Sequence, residues 1–164
     1  MDAIEAITTR KAVRAFAADP VEPEKLRTII DAGRHAMSAR NLQPWQFVLI
    51  YDRKRIHEIG ALCTTGKFVS DAPATIVVLK DTGNTRWADI DCAQAVQNMA
   101  TAAWSLGLGT CWVGSPLLWL RTEEVKAELQ VPAALTPNVA MCLGYANAVP
   151  PTSERDRPPV IWVS

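Results

Sequence analysis

Ser38-Ala39-Arg40-Asn41-Leu42-Gln43-Pro44-Trp45-Gln46-Phe47-Val48-Leu49-Ile50-Tyr51 is a polar loop that runs straight into an apolar segment. Gln46–Tyr51 reads as a strand, rich in β-branched and aromatic residues. Asn41 and Gln43 each carry donors and acceptors, so they can read a planar heterocycle edged with carbonyls and N–H groups. Pro44 fixes the approach to the strand, and Trp45 offers an apolar wall. An ordinary helix-to-strand connection has the same composition, so the loop alone leaves both readings open.

Upstream, Asp2–Thr8 reads as a short helix, and Pro23 opens an amphipathic helix with Leu26, Ile29, Ile30 and Ala32 on its apolar face, ending near Met37. Downstream, Asp52 N-caps a short helix to Leu62. Ala74–Lys80 is nearly all apolar, which predicts a strand buried on both faces. Asp81–Asn84 is a loop. Ala88–Leu106 is the longest helical segment, apolar nearly all round and therefore central, ended by Gly107 and Gly109. Thr110–Val113 and Asn138–Tyr145 are two further strands, with a helix over Glu123–Leu129 started by Thr122 between them. The expected architecture is one α+β domain over residues 1–164: a sheet of about four strands wrapped by helices. The tail from about 150 ends in Val160-Ile161-Trp162-Val163. It is expected to pair with the sheet edge of a partner subunit.

The chain has 164 residues, 49% hydrophobic and 21% charged, with Lys plus Arg balancing Asp plus Glu at 17 each. Zero net charge argues against bulk attraction to nucleic acid or an anionic membrane, so anion binding must rest on a few local cations. No apolar run approaches the ~20 residues of a membrane span. Met1–Glu5 shows no signal-peptide pattern. Cys63, Cys92, Cys111 and Cys142 form no C-x-x-C pair and have only His35 and His57 as possible co-ligands. They read as free buried thiols of a cytoplasmic protein, with no metal site.

Arg10, Lys11 and Arg14 place three cations within five positions, suited to a phosphate or to a solvated basic turn. Arg155 and Arg157 point the same way from an extended segment and could close on the same anion, or form a charged tail. Leu106–Pro116 flanks a short apolar strand with glycines, and Gly114 permits close approach of a flat ligand. Gly107-Leu108-Gly109 lacks the G-x-G-x-x-G pattern and no strand precedes it, which excludes a Rossmann nucleotide site. No G-x-S-x-G or paired nucleophile and histidine supports hydrolysis. Asp89 and Asp91, two apart on a helix, diverge and read as helix N-terminal acids. Trp87, Trp104, Trp112 and Trp119 are pocket-wall or core aromatics.

In this order the segments resemble the nitroreductase-like FMN-dependent oxidoreductases. Arg10-Lys11-Ala12-Val13-Arg14-Ala15-Phe16 resembles the family's opening Arg-Arg-Ser-x-Arg-x-Phe stretch, and Pro20-Val21 through Leu26 its Pro-Val-x-x-x-x-Leu. Ser38, Asn41, Gln43, Pro44, Trp45 and Phe47 match Ser-x-x-Asn-x-Gln-Pro-Trp-x-Phe, the most specific piece. Ala93–Trp112 matches a long helix leading into Leu-Gly-Leu-Gly-Thr-Cys-Trp, and Gly144-Tyr145 followed by arginines is also typical.

The resemblance implies a three-layer α/β/α fold with a mostly antiparallel sheet and a C-terminal strand exchanged across a homodimer. It implies FMN at the dimer interface and NADH or NADPH as co-substrate, with hydride passing through flavin N5 to a nitroaromatic, quinone or flavin in a ping-pong cycle. A flavin-storage protein, or a specialised flavoenzyme for dehalogenation or flavin breakdown, is the alternative. By the same resemblance Arg10, Lys11 and Arg14, with Arg155 or Arg157, hold the phosphate and ribityl chain. Ser38, Ala39 and Asn41 approach the flavin from the other subunit, Gln43 supports that loop, and Ala12 and Met37 count among the cofactor-binding positions. Cys111, Trp112, Val113 and Gly114 line the ring, and Lys67 matches loosely a lysine near it. No catalytic side chain and no metal is implied. Ala12 stands where Ser is usual and Met37 where Pro is common. The loop after Lys80 is short where larger members carry helices, which implies a more open pocket.

Overall fold

Six consecutive buried residues, Ala74–Leu79, make β2 (Ala74–Asp81) the centre of the protein. The computed structural model describes residues 1–83, 85–152 and 154–163. The expected loop residue Asn84 lies outside them. β2 pairs antiparallel on one side with β1 (Trp45–Ile50) and on the other with β4 (Leu135–Gly144), which pairs antiparallel with β3 (Gly109–Val113). The order is β1-β2-β4-β3.

Side-chain alternation sends the inner strands into two separate cores. On one face Ile76, Val78, Met141 and Leu143 pack with Leu26 and Ile29 of α2 (Pro23–Arg34), and with Cys92, Ala95, Met99 and Ala103 of α4 (Ala88–Ser105). On the other, Val77, Leu79, Ala140 and Cys142 pack with Val13, Phe16, Ile56 and Ile59. The last two belong to α3 (Arg53–Leu62), and Leu120 and Val125 join them from α5 (Leu117–Leu120) and α6 (Glu123–Glu128). The fold is therefore α+β in three layers.

Local chemistry explains most element ends. Asp2 caps α1 (Ala3–Thr9) by accepting from Glu5 N–H at 2.8 Å, and Asp52 caps α3 from Arg55 N–H at 2.9 Å. Four expectations are corrected. First, α2 stops at Arg34, short of Met37: His35 N–H reaches back to Asp31 C=O, Ala36 N–H closes a tighter turn on Gly33 C=O, and Met37 projects into solvent. Second, β4 begins at Leu135, not Asn138. A bulge between Val78 and Leu79 brings Pro137, which has no N–H to donate, into the ladder. Third, α4 is not apolar all round in its environment. Its buried residues form one stripe, while Ile90 and Ala93 face solvent within the chain.

The fourth correction concerns the glycines. Gly107 alone ends α4: its φ of +79° lets its N–H bond Trp104 C=O while Leu108 N–H returns to Ala103 C=O. Gly109 instead opens β3, where a Cβ would overlap the Val13 side chain. Gly109→Ala is expected to cost about 1–3 kcal/mol through overpacking, read as a lower urea midpoint at constant m. An unchanged midpoint would mean Val13 does not pack there.

Candidate functional site

The basic segment leaves α1 as an extended chain laid along the edge of β3. Ala12 pairs in parallel with Thr110, and Val13 N–H donates to Thr110 C=O at 2.9 Å. Further along, Asn147 N–H donates to Ala15 C=O and Ala17 N–H to Tyr145 C=O, both at 2.9 Å. Val13 and Phe16 turn into the core. Extended geometry then leaves Arg14 on the opposite side, with Ala12 half-buried at the edge of that core.

That side opens on a cavity of about 410 Å³, where Arg10, Lys11, Ala12 and Arg14 meet Trp104 and Arg155. A second cavity of about 350 Å³ shares Arg10, Ala12 and Arg14 and adds Val96, Gln97, Ala100, Cys111 and Trp112. Trp104 is fixed by donating from Nε1 to Thr9 Oγ1 at 2.9 Å. Arg10 Nε is buried and has no hydrogen-bond partner among the described residues. A buried guanidinium N–H without an acceptor is costly, and this one belongs to a residue that lines the cavity. Arg155, and not Arg157, lines it.

Burial pushes the Cys111 thiol up, an effect that Arg14 and Arg10 beside it only partly offset. Burial also pushes Cys92 up to about 12. Cys142 is raised too, and its Sγ donates to Cys111 C=O at 3.1 Å. At neutral pH these three are protonated thiols, so none is an activated nucleophile.

The polar loop is built elsewhere. Arg40, Asn41 and Gln43 all have left-handed backbones, with φ of 54°, 56° and 48°. Non-glycine residues there cost roughly 1–3 kcal/mol each, so the surroundings must hold them. Two side chains do. Ser38 Oγ accepts from Gln43 N–H at 3.0 Å, and Asp91 of α4, only 2% exposed, accepts from Ala39 N–H at 3.2 and 3.3 Å. Gln43 Nε2 donates to Asn41 Oδ1 at 3.1 Å, which ties the two amides together. Asp91 is thus more than a helix-terminal acid, whereas Asp89 pairs with Lys80 at 2.6 Å.

Within one chain these two halves are far apart. The loop meets the N-terminal end of α4 at Asp91, and the larger basic cavity meets its C-terminal end at Trp104, about 20 Å away at ~1.5 Å per residue, with the second cavity, walled by Val96, Gln97 and Ala100, between them. Val113 ends β3 and Gly114 follows it, and no heavy atom lies within 4 Å of where a Gly114 Cβ would sit. Lys67 lies exposed in a 3-10 turn, Lys67–Asp71, close to Val113 through Gly66. Met37 is exposed beside the loop. Sequence reasoning missed Thr8, Thr9, Val96, Gln97 and Ala100 as cavity walls, and Asp91 as the loop's anchor. The helical spacing of Val96, Gln97, Ala100 and Trp104 was the available signal.

Comparison with known proteins identifies the family and the fold. A family model described as the nitroreductase family matches residues 7–65 and 59–145. A Methanothermobacter thermautotrophicus protein, provisionally named NADH dehydrogenase/NAD(P)H nitroreductase, is 34% identical over 158 residues, covering 94% of this chain and 82% of the relative. The NADPH-flavin oxidoreductase of Vibrio harveyi is 28% identical, covering 93% and 69%. Among solved structures, an FMN-bound nitroreductase from Desulfitobacterium hafniense superposes with a TM-score of 0.87 at 25% identity over 100% of both chains.

Replacing Asp91 by Ala removes the acceptor of Ala39 N–H and is expected to cost about 1–3 kcal/mol. Urea unfolding reads this directly, and a midpoint equal to wild type would show that the loop holds itself.

Proposed function

The chain belongs to the nitroreductase family, and on that footing we propose that it is a homodimeric FMN-dependent oxidoreductase that takes hydride from NAD(P)H and passes it to a small acceptor in a ping-pong cycle. The observation that carries the reading is the cavity around Arg10, Lys11, Arg14 and Arg155 with the unpartnered Arg10 Nε in its wall. Its donors fit a phosphate monoester: dense positive charge, guanidinium forks and an N–H lacking an acceptor. Bound there, FMN supplies the hydride-accepting and hydride-donating chemistry. The chain binds, orients and shields it, and no side chain is assigned as general base.

In this reading Arg10, Lys11, Arg14 and Arg155 hold the phosphate. Cys111 and Trp112, with the backbone of Val113 and Gly114, wall the ring, and Gln97 and Ala100 close the floor beneath. Backbone N–H donors beside the ring would favour its reduced, more negative form. Ser38, Ala39 and Asn41 of the partner subunit complete the site, Gln43 supporting that loop.

Three surfaces favour the dimer. The outer face of α4 exposes Ile90 and Ala93. The tail leaves Ile161, Trp162 and Val163 88%, 89% and 92% exposed. With the β3 edge partly covered by residues 12–16, β1 is the open edge, flanked by a groove of about 580 Å³ lined by Val21, Leu26, Ile30, Leu49 and Tyr51. The partner's tail fits that groove by its apolar character.

Purified protein is expected to take up FMN and to bleach rapidly when NADH or NADPH is added anaerobically. Arg10→Ala should weaken FMN binding about 10–100-fold, the range for losing a charged hydrogen bond. Protein that takes up no FMN, or holds it unbleached by either donor, contradicts the reading. Removing residues 158–164 should lower the mass seen by light scattering at micromolar concentration, and an unchanged dimer would exclude the tail from the interface.

A further inference from the structure

Arg40, Arg86 and Trp87 converge on a shallow pocket that shares only Ala39 with the roles given above. It has a volume of about 350 Å³ and is lined by Ala39, Arg40, Leu42, Thr85, Arg86 and Trp87. The Arg86 guanidinium lies over the Trp87 ring, 4.7 Å from its centroid, and the indole is 45% exposed. The pocket therefore joins an aromatic platform to two cations. Arg40 and Arg86 take part in no salt bridge among the described residues. The nearby acids are already engaged: Asp89 with Lys80, and Asp91 with Ala39 N–H. The N-terminal end of the long helix α4 adds positive potential at the same place.

We propose that this pocket selects the electron acceptor, favouring a planar aromatic acceptor that carries an anionic substituent such as a carboxylate. The inference rests on the reading given under Proposed function, which brings the Ser38–Asn41 loop to the flavin and so sets this pocket beside it. The indole stacks on the acceptor's ring, and the two guanidiniums take its anion. A bare phosphate or other non-aromatic anion has no use for Trp87, Leu42 and Ala39, which separates this pocket from the basic cavity at the other end of α4. Arg40 is held on a strained left-handed backbone next to Asp91's anchor at Ala39, so its side chain starts from a fixed point. For a nitroaromatic acceptor the balanced step consumes NAD(P)H and a proton and yields the nitroso compound, NAD(P)⁺ and water. The pocket alters only which acceptor is held.

The test compares 4-nitrobenzoate with the neutral 4-nitrobenzamide. Initial rates at saturating NADH or NADPH give kcat/KM for each, and calorimetry on the oxidised FMN-loaded protein without nicotinamide gives each Kd. Wild type should prefer the anion about tenfold, as expected for two partly exposed charge contacts, through KM rather than kcat. The preference should shrink in high salt. The Arg40→Ala/Arg86→Ala double variant should bring the ratio close to one, the Arg40→Lys/Arg86→Lys variant should keep most of it, and Trp87→Leu should weaken both ligands. A wild-type ratio of one or below, or a ratio unchanged in the double-alanine variant, overturns the proposal. If neither compound is reduced, nitroaromatic turnover fails separately and calorimetry still decides: anion-selective binding lost in the double-alanine variant upholds the pocket, and equal or absent binding sinks it.

Discussion

The site depends on the seating of Ala12–Ala17 against β3 and the segment that follows β4. One backbone hydrogen bond to Thr110, two to Tyr145 and Asn147, and the side chains of Val13 and Phe16 fix this strip, and the missing side chain at Gly109 lets Val13 in. Once Val13 faces inward, Arg14 is left exposed on the other side. Arg10, at the end of α1, is then carried over the C-terminal part of α4. The cations of this neutral chain are concentrated because one extended strip is pinned at one register.

Helix α4 is the second constraint, acting as a spacer between two unlike ends. At its start Asp91 gives up solvation to hold a loop with three left-handed residues. At its end Trp104 walls the basic cavity. Both ends lie on a helix that leaves Ile90 and Ala93 uncovered within the chain, beside the polar Gln97 and Asn98. An assembly in which two copies of α4 lie side by side satisfies all three features at once.

Much of the fold was legible because local signals agreed with the tertiary result. The capping aspartates, Pro23 at the start of α2 and the apolar run of β2 all mean the same thing in isolation as in the packed protein. Where reading failed, the decisive partner was distant in sequence. Pro137 enters β4 only because β2 bulges opposite it, Gly109 matters because Val13 crosses it, and the alanines of α4 fit a buried or an exposed face equally well. The same holds for the site. Arg10, Lys11 and Arg14 announce an anion by their density, and structure brings Arg155 to the same cavity. Asp91 announces nothing, since a carboxylate in the first turn of a helix is ordinary. Its importance comes from a backbone N–H 52 residues away in the chain.

The central claim is that each flavin site takes its phosphate cradle from one chain and its polar loop from another. Subunit complementation tests it most directly. One variant carries Arg10→Glu, the other Ala39→Trp, and the two are refolded together in equal amounts. The account predicts that neither variant alone retains FMN and that the mixture recovers roughly a quarter of the sites, the statistical yield of one intact site per mixed dimer. Retention of FMN by the Ala39→Trp protein alone, or no recovery in the mixture when mixed dimers form, would contradict it.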